Sequence, residues 1–412
     1  MYITNIKYTK EANGVIVSAA ITFRGKKTEQ AYISVDNKYE NFVAKDASPF
    51  LAAVLLPCMK TGENISVDGS VSKQLLENMN RIQKLILSWK IGFSAIEIKA
   101  TQIVPDVHTP KHTASFFTAG VDSFYTYLHN RDKKETKISH LILVHGFDIP
   151  LTNEPFFKQV RETVELVAKE EKIEAIILKT NIGEIIEKRL IWDFAHGGAL
   201  AAIALFLRRE LKQVLIPGAV RNDQLFPYGT HPDLDPLWST ETVSINSDGG
   251  EHDRIGKITT LVSTSPLALQ YLRVCTQNIK GKYNCSRCFK CLMTMFYLQG
   301  SDALVKAKTF DHTIDLQAVR NMYYDYKLKY NIQGEQALAL LGKNGQNAQL
   351  QEAIAYSLEK SKHPSITKRA YQKIAAYDQK YNDRRLYQFV FQMNNGDRNI
   401  LFKYLFKKGI LK

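Results

Sequence analysis

Short apolar runs alternate with helical segments through the middle of the chain. The apolar runs lie at 115–117, 141–144, 175–178 and 214–217. The segments between them carry hydrophobic residues at intervals of three and four, which predicts helices ending near 129 and spanning 154–170 and 197–209. Strands that are apolar on both faces and alternate with helices are typical of a parallel sheet covered on both sides. This part of the chain therefore predicts an α/β fold with a doubly wound parallel sheet.

The segments on either side of this region have different patterns. Residues 1–104 combine strand-like alternation with a helical pattern at 73–89, which predicts a small N-terminal α/β accessory domain. Two prolines without hydrophobic periodicity mark a linker over 105–110. We expect the main domain over 111–305 and a helical, basic C-terminal region over 306–412.

Composition narrows the class of protein. With 412 residues, of which 45% are hydrophobic and 23% charged, the chain is typical of a globular protein of two or three domains. Its first residues lack the charged start and apolar core of a signal peptide. Its most apolar helical segment is too short to cross a bilayer. We therefore expect a cytoplasmic location and no membrane partner.

The formal net charge of +14 favours an acidic partner. Residues 361–412 hold twelve Lys and Arg against three Asp, with aromatic residues in between. Such a segment can bind nucleic acid, with cations on the phosphates and rings on the bases. The interpretation that we favour is an amphipathic helical region with buried aromatic rings and solvated lysines.

A phosphate-binding loop is predicted at 115–123, where Ser-Phe-Phe-Thr-Ala-Gly-Val-Asp-Ser joins a strand end to a helix start. Unpaired backbone N–H groups at a helix N-terminus hold anions, and the small residues of the turn let a ligand approach the backbone. Thr118 and Ser123 offer hydroxyl groups, and Asp122 can cap the helix or orient a metal-bound phosphate. A plain strand–turn–helix with a capping aspartate is the alternative interpretation.

Four cysteines, spaced C-x9-C-x2-C-x2-C, form the second chemical signal. They are Cys275, Cys285, Cys288 and Cys291. Four thiolates at knuckle spacing close a tetrahedral Zn²⁺ site without an open coordination position, so we expect a structural zinc. Four reduced, buried thiols are one alternative, and redox chemistry at the last pair is another.

Polar residues also follow the other predicted strands. His145-Gly146-Phe147-Asp148 comes directly after the second apolar run, and His196 opens a segment of small residues. A long loop over 221–240 is rich in polar and aromatic residues, and long ordered loops at strand ends usually carry function. A structural role is the alternative in both places. His145 would be a loop histidine with its hydrogen bonds made, and the small residues after His196 would let their helix pack closely.

Three of these features resemble a known superfamily. The loop Thr118-Ala119-Gly120-Val121-Asp122-Ser123 resembles the Ser-Gly-Gly-x-Asp-Ser loop of the PP-loop ATP pyrophosphatases, with Thr for the first Ser and Ala for the first Gly. The four cysteines, and Tyr228 followed by His231-Pro232-Asp233, are similar to features of the 7-cyano-7-deazaguanine synthases within it. Those synthases have Cys and Arg after that Asp, which this chain lacks. The resemblance extends over 115–298.

The resemblance implies a PP-loop (HUP-like, Rossmann-type) fold and an enzyme that converts ATP to AMP and pyrophosphate with Mg²⁺. A substrate carboxylate or amide would be adenylated and then attacked by a nitrogen nucleophile. The residues expected to take part in catalysis are Asp122, Ser123 and Lys257. Those expected to bind the nucleotide are Thr118, Ala119, Gly120, Val121, Val144, His145, Gly146 and His196. Those expected to bind the substrate are Asp148, Asp223, Tyr228, His231, Asp233 and Asp235.

Several alternatives exist for the substrate that accepts the activated group and for the class of function. The acceptor is expected to be a deazapurine-like small molecule, a protein or a nucleic acid, and a homodimer is one expectation for the assembly. At 257, a surface lysine is the alternative to a phosphate-binding one. The alternative function is a non-catalytic zinc protein that binds nucleic acid or senses ATP, and Ala119 within the loop favours it.

Overall fold

The computed structural model describes residues 1–277, 282–326, 329–343 and 347–363, together with 373, 374 and 377. The chain divides into two compact units. Unit 1 is formed by Met1–Thr118 and Tyr125–Asp253, and unit 2 by Ala119–Phe124 and the described residues of Arg254–Lys412. The basic segment 361–412 lies almost entirely outside the described residues, so both interpretations of it stay predictions.

All ten strands of the described residues belong to unit 1 and hydrogen-bond into one sheet. They are β1 (Tyr2–Glu11), β2 (Gly14–Thr22), β3 (Glu29–Val35), β4 (Ile65–Ser72), β5 (Ile98–Val104), β6 (His112–Phe116), β7 (His140–His145), β8 (Glu174–Thr180), β9 (Leu211–Pro217) and β10 (Ser244–Asp248). Across the sheet they lie in the order β10-β9-β6-β7-β8-β3-β2-β1-β4-β5.

The described part of the chain contains twelve α-helices. They are α1 (Ser48–Thr61), α2 (Lys73–Ser88), α3 (Val121–Asn130), α4 (Glu154–Glu170), α5 (Ile182–Glu187), α6 (Trp192–Phe206), α7 (Arg254–Thr260), α8 (Pro266–Tyr271), α9 (Phe289–Gly300), α10 (Leu316–Arg320), α11 (Tyr330–Gly342) and α12 (Ala348–Lys362). In the described part of the chain, no helix is both long enough and apolar enough to cross a membrane.

Five parallel strands form one half of the sheet, and four of them, β6 to β9, correspond to the predicted apolar runs. β7 and β8 lie on one side of β6, β9 and β10 lie on the other, and every pairing among them is parallel. The strand order reverses beside β6, because the chain adds β7 and β8 on one side and then β9 on the other. In Rossmann-like α/β sheets, ligands bind beyond the carboxyl ends of the strands at this reversal. The loop after β6 is therefore where the architecture favours a site.

Antiparallel strands extend the sheet beyond β8. β3 pairs with β8, bringing Ile33 opposite Thr180, and β2 and β1 follow in antiparallel pairs. Short connections join β1 to β2 and β2 to β3, and such connections produce antiparallel pairs. The expected α/β fold is confirmed, and the whole sheet is mixed but mostly parallel, because the N-terminal strands add three antiparallel pairs.

The core of unit 1 includes a close contact between α1 and α6. Twelve of the 14 residues of α1 and ten of the 15 residues of α6 are buried. At Gly198 of α6, an added Cβ would lie 2.7 Å from the carbonyl oxygen of Ala52 in α1. Because there is no side chain at 198, the two helices approach closely and residues 1–104 share one core with the strands that follow.

Unit 2 is helical, with α9 at its centre. Every residue from Cys291 to Leu298 is buried. At the end of α9, an added Cβ at Gly300 would lie 2.6 Å from the Leu340 side chain of α11. The cysteine-containing turn is therefore followed directly by the most buried helix of this unit.

Candidate functional site

The turn before α3 has a strained backbone at Ala119. This buried residue has a φ of 57°, in the left-handed region that non-glycine residues rarely occupy. Its carbonyl oxygen accepts a hydrogen bond from the Arg273 N–H at 2.8 Å, which holds the turn in place. Strain of this kind clusters at ligand-binding and active sites. It is thus an additional observation in favour of a binding loop here.

The first turn of α3 is held by the carbonyl oxygen of Gly120. Ser123 Oγ donates a hydrogen bond to this oxygen at 3.1 Å, and the Phe124 N–H donates to it at 2.9 Å. The Ser123 hydroxyl proton is therefore engaged within the loop itself. Thr118 and Gly120 are half-buried, and Val121 is buried at the first position of the helix.

Asp122 makes ion pairs with two cations of α7. Lys257 Nζ lies 3.0 Å from Asp122 Oδ1, and Arg254 Nη2 lies 3.0 Å from Asp122 Oδ2. The Lys257 side chain is only 1% exposed, so it is not a surface lysine. The sequence predicted Asp122 and Lys257 as parts of one site, and the structure brings them together. It did not predict Arg254, whose position three residues before Lys257, one helical turn away, was the available signal.

The two neighbouring cations determine the charge of the Asp122 carboxyl group. Burial by itself would raise the pKa of Asp122, but the Arg254 and Lys257 cations outweigh burial and hold that pKa below its usual range. Asp122 is therefore ionised at neutral pH. Two cations against one carboxylate leave an excess of one positive charge at the start of α3.

At the end of β7, His145 and Gly146 shape a tight turn. The His145 ring stacks on Phe157 with centroids 4.0 Å apart, and Nε2 donates to the carbonyl oxygen of Pro150 at 3.1 Å. Burial lowers the pKa of His145. Gly146 has a φ of 109°, and an added Cβ would lie 1.9 Å from the carbonyl oxygen of Thr180. These contacts match the structural alternative for His145, a loop histidine whose ring is held by contacts within the protein.

His196 fastens the loop after β9 to α6. Nδ1 lies 2.9 Å from the carbonyl oxygen of Trp192, so this nitrogen donates, and Nε2 accepts from the Thr230 hydroxyl at 3.3 Å. The Tyr228 ring lies 4.6 Å from the His196 ring. Burial lowers the pKa of His196, which keeps the ring in the neutral form that these two hydrogen bonds require.

Gly197 is the point where this loop meets α6. An added Cβ at 197 would lie 1.7 Å from the carbonyl oxygen of Gly229. The Gly229 N–H donates to the carbonyl oxygen of Asp193 at 2.8 Å, so the loop is held against the first turn of the helix. A side chain at 197 must therefore displace the loop.

We expect Gly197→Ala to reduce the free energy of unfolding of unit 1 by about 3 kcal/mol, at the upper end of overpacking effects. Urea unfolding followed by tryptophan fluorescence measures this change. Gly342→Ala, in α11 of unit 2, is the negative control and should leave this signal unchanged, because the nearest atom to its Cβ would be 3.6 Å away. Equal unfolding free energies for wild type and Gly197→Ala would contradict the close contact with Gly229.

Asp235 is a wholly buried carboxyl group at the start of a short 3₁₀ helix, Asp235–Trp238. Its Oδ1 accepts a hydrogen bond from the His231 N–H at 3.2 Å, and its Oδ2 contacts the Ser247 hydroxyl. Burial raises the pKa of Asp235 to about 7, although both hydrogen bonds oppose this shift. His231 Nδ1 accepts from the Asp233 N–H at 3.1 Å. Asp235 and His231 therefore have structural contacts within the loop.

The remaining predicted contact residues differ in exposure. Val144 is buried in β7, whereas Asp148, Asp223 and Asp233 are exposed. Asp223 makes an ion pair with Arg221, whose Nε and Nη2 lie 2.5 and 2.7 Å from the two carboxylate oxygens. Exposed carboxylates of this kind do not by themselves define a ligand.

The four predicted cysteines come together in unit 2. The sulfur atoms of Cys275, Cys285, Cys288 and Cys291 all lie within 4.8 Å of one another. Zinc–sulfur bonds of about 2.3 Å in a tetrahedron place sulfur atoms about 3.8 Å apart. The sulfurs of Cys285 and Cys291 are 3.8 Å apart. The cluster is therefore a possible metal-binding site compatible with zinc.

The turn between Cys285 and Cys288 also suits a metal. The Cys288 N–H donates to the sulfur of Cys285 at 3.2 Å, and Ser286 in the turn has a φ of 55°. Contacts with the other three sulfurs lower the pKa of Cys285 and raise the pKa of Cys291, so the four groups share their protons unequally. A divalent cation would replace these shared protons and let all four sulfurs ionise.

Asn284 is a residue of this cluster that the sequence did not reveal. Its Oδ1 accepts from the N–H groups of Val274 and Cys275 at 2.9 and 3.1 Å. Its Nδ2 donates to the carbonyl oxygens of Leu272 and Thr309 at 2.8 and 3.3 Å. All four hydrogen bonds of the amide are made, which fixes Cys275 beside Cys285. A single Asn before a Cys carries no signal for this role.

Comparison of the chain with protein-family models, with curated proteins and with solved structures finds no match. The features that bear on function are therefore the Rossmann-like sheet and two residue groups, the Asp122 group and the cysteine cluster.

Proposed function

We propose that the chain is an ATP-dependent adenylating enzyme of the PP-loop type, with 118–123 as its phosphate-binding loop. The observation that carries the proposal is the pairing of Asp122 with Lys257 and Arg254 at the first turn of α3. A helix start offers backbone N–H donors, and the two cations add an excess positive charge. Phosphate groups are the ligands that best match this combination.

The position of the loop supports the same function. It follows β6, the strand beside which the order of the sheet reverses. Sheets of this type bind nucleotides beyond the strand ends at the reversal. The buried, left-handed Ala119 adds backbone strain at the same turn, as binding loops often do.

The proposed reaction divides the work among few residues. An oxygen of a substrate carboxylate or amide attacks the α-phosphate of ATP in line, and pyrophosphate leaves. Lys257 and Arg254 stabilise the charge that develops on the phosphates, and Asp122 holds the two cations in position before the phosphates bind. Mg²⁺ that arrives with ATP shares the charge of the pyrophosphate. A nitrogen nucleophile then displaces AMP, so no covalent protein intermediate is needed.

We further propose that the cysteine cluster holds a structural Zn²⁺. Four protein ligands leave no open coordination position for catalysis, so the ion would brace the turn before α9. The acceptor of the activated group stays open among a deazapurine-like small molecule, a protein and a nucleic acid.

Calorimetric titration of the purified, zinc-loaded protein with MgATP tests the proposal. We expect saturable binding by the wild type and binding that is weaker by about 10- to 100-fold in Lys257→Met, since a charge-assisted contact is lost. Methionine keeps the apolar stem that the buried position requires. Lys158→Met, which changes a lysine that is 74% exposed on α4, is the matched control and should bind like the wild type.

Zinc content and the thermal midpoint of each variant separate loss of binding from loss of folding. Saturable binding would justify a search for the acceptor by AMP release. If the folded wild type does not bind MgATP at millimolar concentration, the adenylating function is wrong. Salt-sensitive binding of nucleic acid without a nucleotide requirement would then favour the scaffold function.

A further inference from the structure

Arg254 and Lys257 share one carboxylate but differ in freedom to move. The Lys257 side chain is 1% exposed, and the Arg254 side chain is 28% exposed. Both contacts with Asp122 are 3.0 Å long. Asp122 is the one ion-pair partner of Arg254 within the described ranges of the chain. Because the Arg254 side chain is partly exposed, it can move from Asp122 to another partner. The Lys257 side chain is enclosed by the protein and cannot.

The charges around Arg254 indicate which partner could replace Asp122. An ionised Asp122 balances one of the two cations, so an arriving anion meets a net positive charge. A guanidinium group has five N–H donors in a fixed planar arrangement that matches two phosphate oxygens at once. An ammonium group is a point charge and has no comparable preference. A phosphate is thus a better partner than a carboxylate for Arg254, and Asp122 can keep Lys257.

We propose that Arg254 is a polyphosphate-binding residue, held by Asp122 until the ligand replaces that carboxylate as its partner. This inference rests on the proposed function of the loop and adds its ligand class. A ligand with two or more linked phosphates engages Lys257 and Arg254 together. A monophosphate needs only one of them, so Arg254 selects nucleoside triphosphates and pyrophosphate over AMP.

The test compares three ligands on the full-length, zinc-loaded protein by calorimetry: MgATP, magnesium pyrophosphate and AMP. We expect Arg254→Gln to weaken MgATP and pyrophosphate by about 10- to 100-fold and to change AMP by less than about twofold. Arg254→Lys should recover part of the lost affinity, because it restores the charge without the planar donors.

Arg161→Gln is the matched control, since Arg161 makes an ion pair with Glu165 at 2.8 Å on the exposed face of α4. It should bind all three ligands like the wild type. An equal loss for ATP, pyrophosphate and AMP in Arg254→Gln would indicate a purely structural role and overturn the inference. Unchanged affinity for MgATP in Arg254→Gln would overturn it too, while the ATP-binding function would stand. If the wild type binds none of the three ligands, both proposals are wrong.

Discussion

Replacing Cys288 with serine should remove the metal from the protein and destabilise unit 2. Three thiolates and a hydroxyl bind zinc far more weakly than four thiolates, and structural zinc contributes about 10–16 kcal/mol of apparent binding energy in small zinc domains. The cysteines connect the segment at Val274 with the start of α9, the most buried helix of this unit. Loss of the ion would therefore loosen the helices that pack on α9.

Elemental analysis of the purified protein measures the first part of this prediction, and limited proteolysis measures the second. We expect one zinc per chain in the wild type, almost none in Cys288→Ser, and faster cleavage in unit 2. Cys58→Ala is the control, because Cys58 is buried in α1 of unit 1 and lies outside the cluster. A wild type without metal, or a Cys288→Ser variant that keeps the zinc and the wild-type cleavage rate, would contradict the structural zinc site.

Asp235→Asn should stabilise unit 1 at pH 8 by up to about 4 kcal/mol and have little effect near pH 4. The pKa of Asp235 is raised from 3.8 to about 7 by burial. The folded state therefore keeps a proton that the unfolded state loses as the pH rises from about 4 to 7. Wild-type stability falls through this range and levels off above it. One pKa unit corresponds to about 1.36 kcal/mol, which gives the upper estimate.

Asparagine reproduces the protonated carboxyl group at this position. Its oxygen can accept from the His231 N–H, and its amide can donate to the Ser247 hydroxyl. Urea unfolding at pH 4, 6 and 8 measures the effect, with tryptophan fluorescence as the signal. All three tryptophans, Trp89, Trp192 and Trp238, belong to unit 1.

Asp233→Asn changes an exposed carboxylate two residues away and is the matched control. Its unfolding free energy should follow the wild type at each pH. If the difference between Asp235→Asn and wild type does not grow with pH, Asp235 is ionised in the folded protein and the raised pKa assigned to it is wrong.

Local patterns predicted the elements of the middle of the chain well. The predicted helix 154–170 matches α4, and the four apolar runs match β6 to β9, because each pattern depends on neighbours within a few residues. The sequence did not predict β10, whose run Ser244–Asp248 is mostly polar, or the pairing of β3 with β8. An edge strand and a long-range pairing leave little trace in local periodicity.

In the candidate site, too, the sequence predicted some features and missed others. The cysteine spacing predicted the cluster, since ligands to one metal follow strict spacing rules. The sequence could not show that His145 and His196 have hydrogen-bond partners in their own loops, since those partners depend on how the turns fold. It also gave no signal for Asn284, whose four hydrogen-bond partners lie in two other segments of the chain, 272–275 and 309.

By itself, the sequence determined the α/β class, the position of the loop after β6 and the four cysteines, because short-range periodicity and ligand spacing are local properties. Only the tertiary structure decided that Asp122 meets Lys257 and Arg254, which are more than a hundred residues away in the chain. Only the tertiary structure decided that Asp235 is buried with a raised pKa. Contacts between distant segments depend on the packing of whole elements, and the charge state of a side chain follows from that packing.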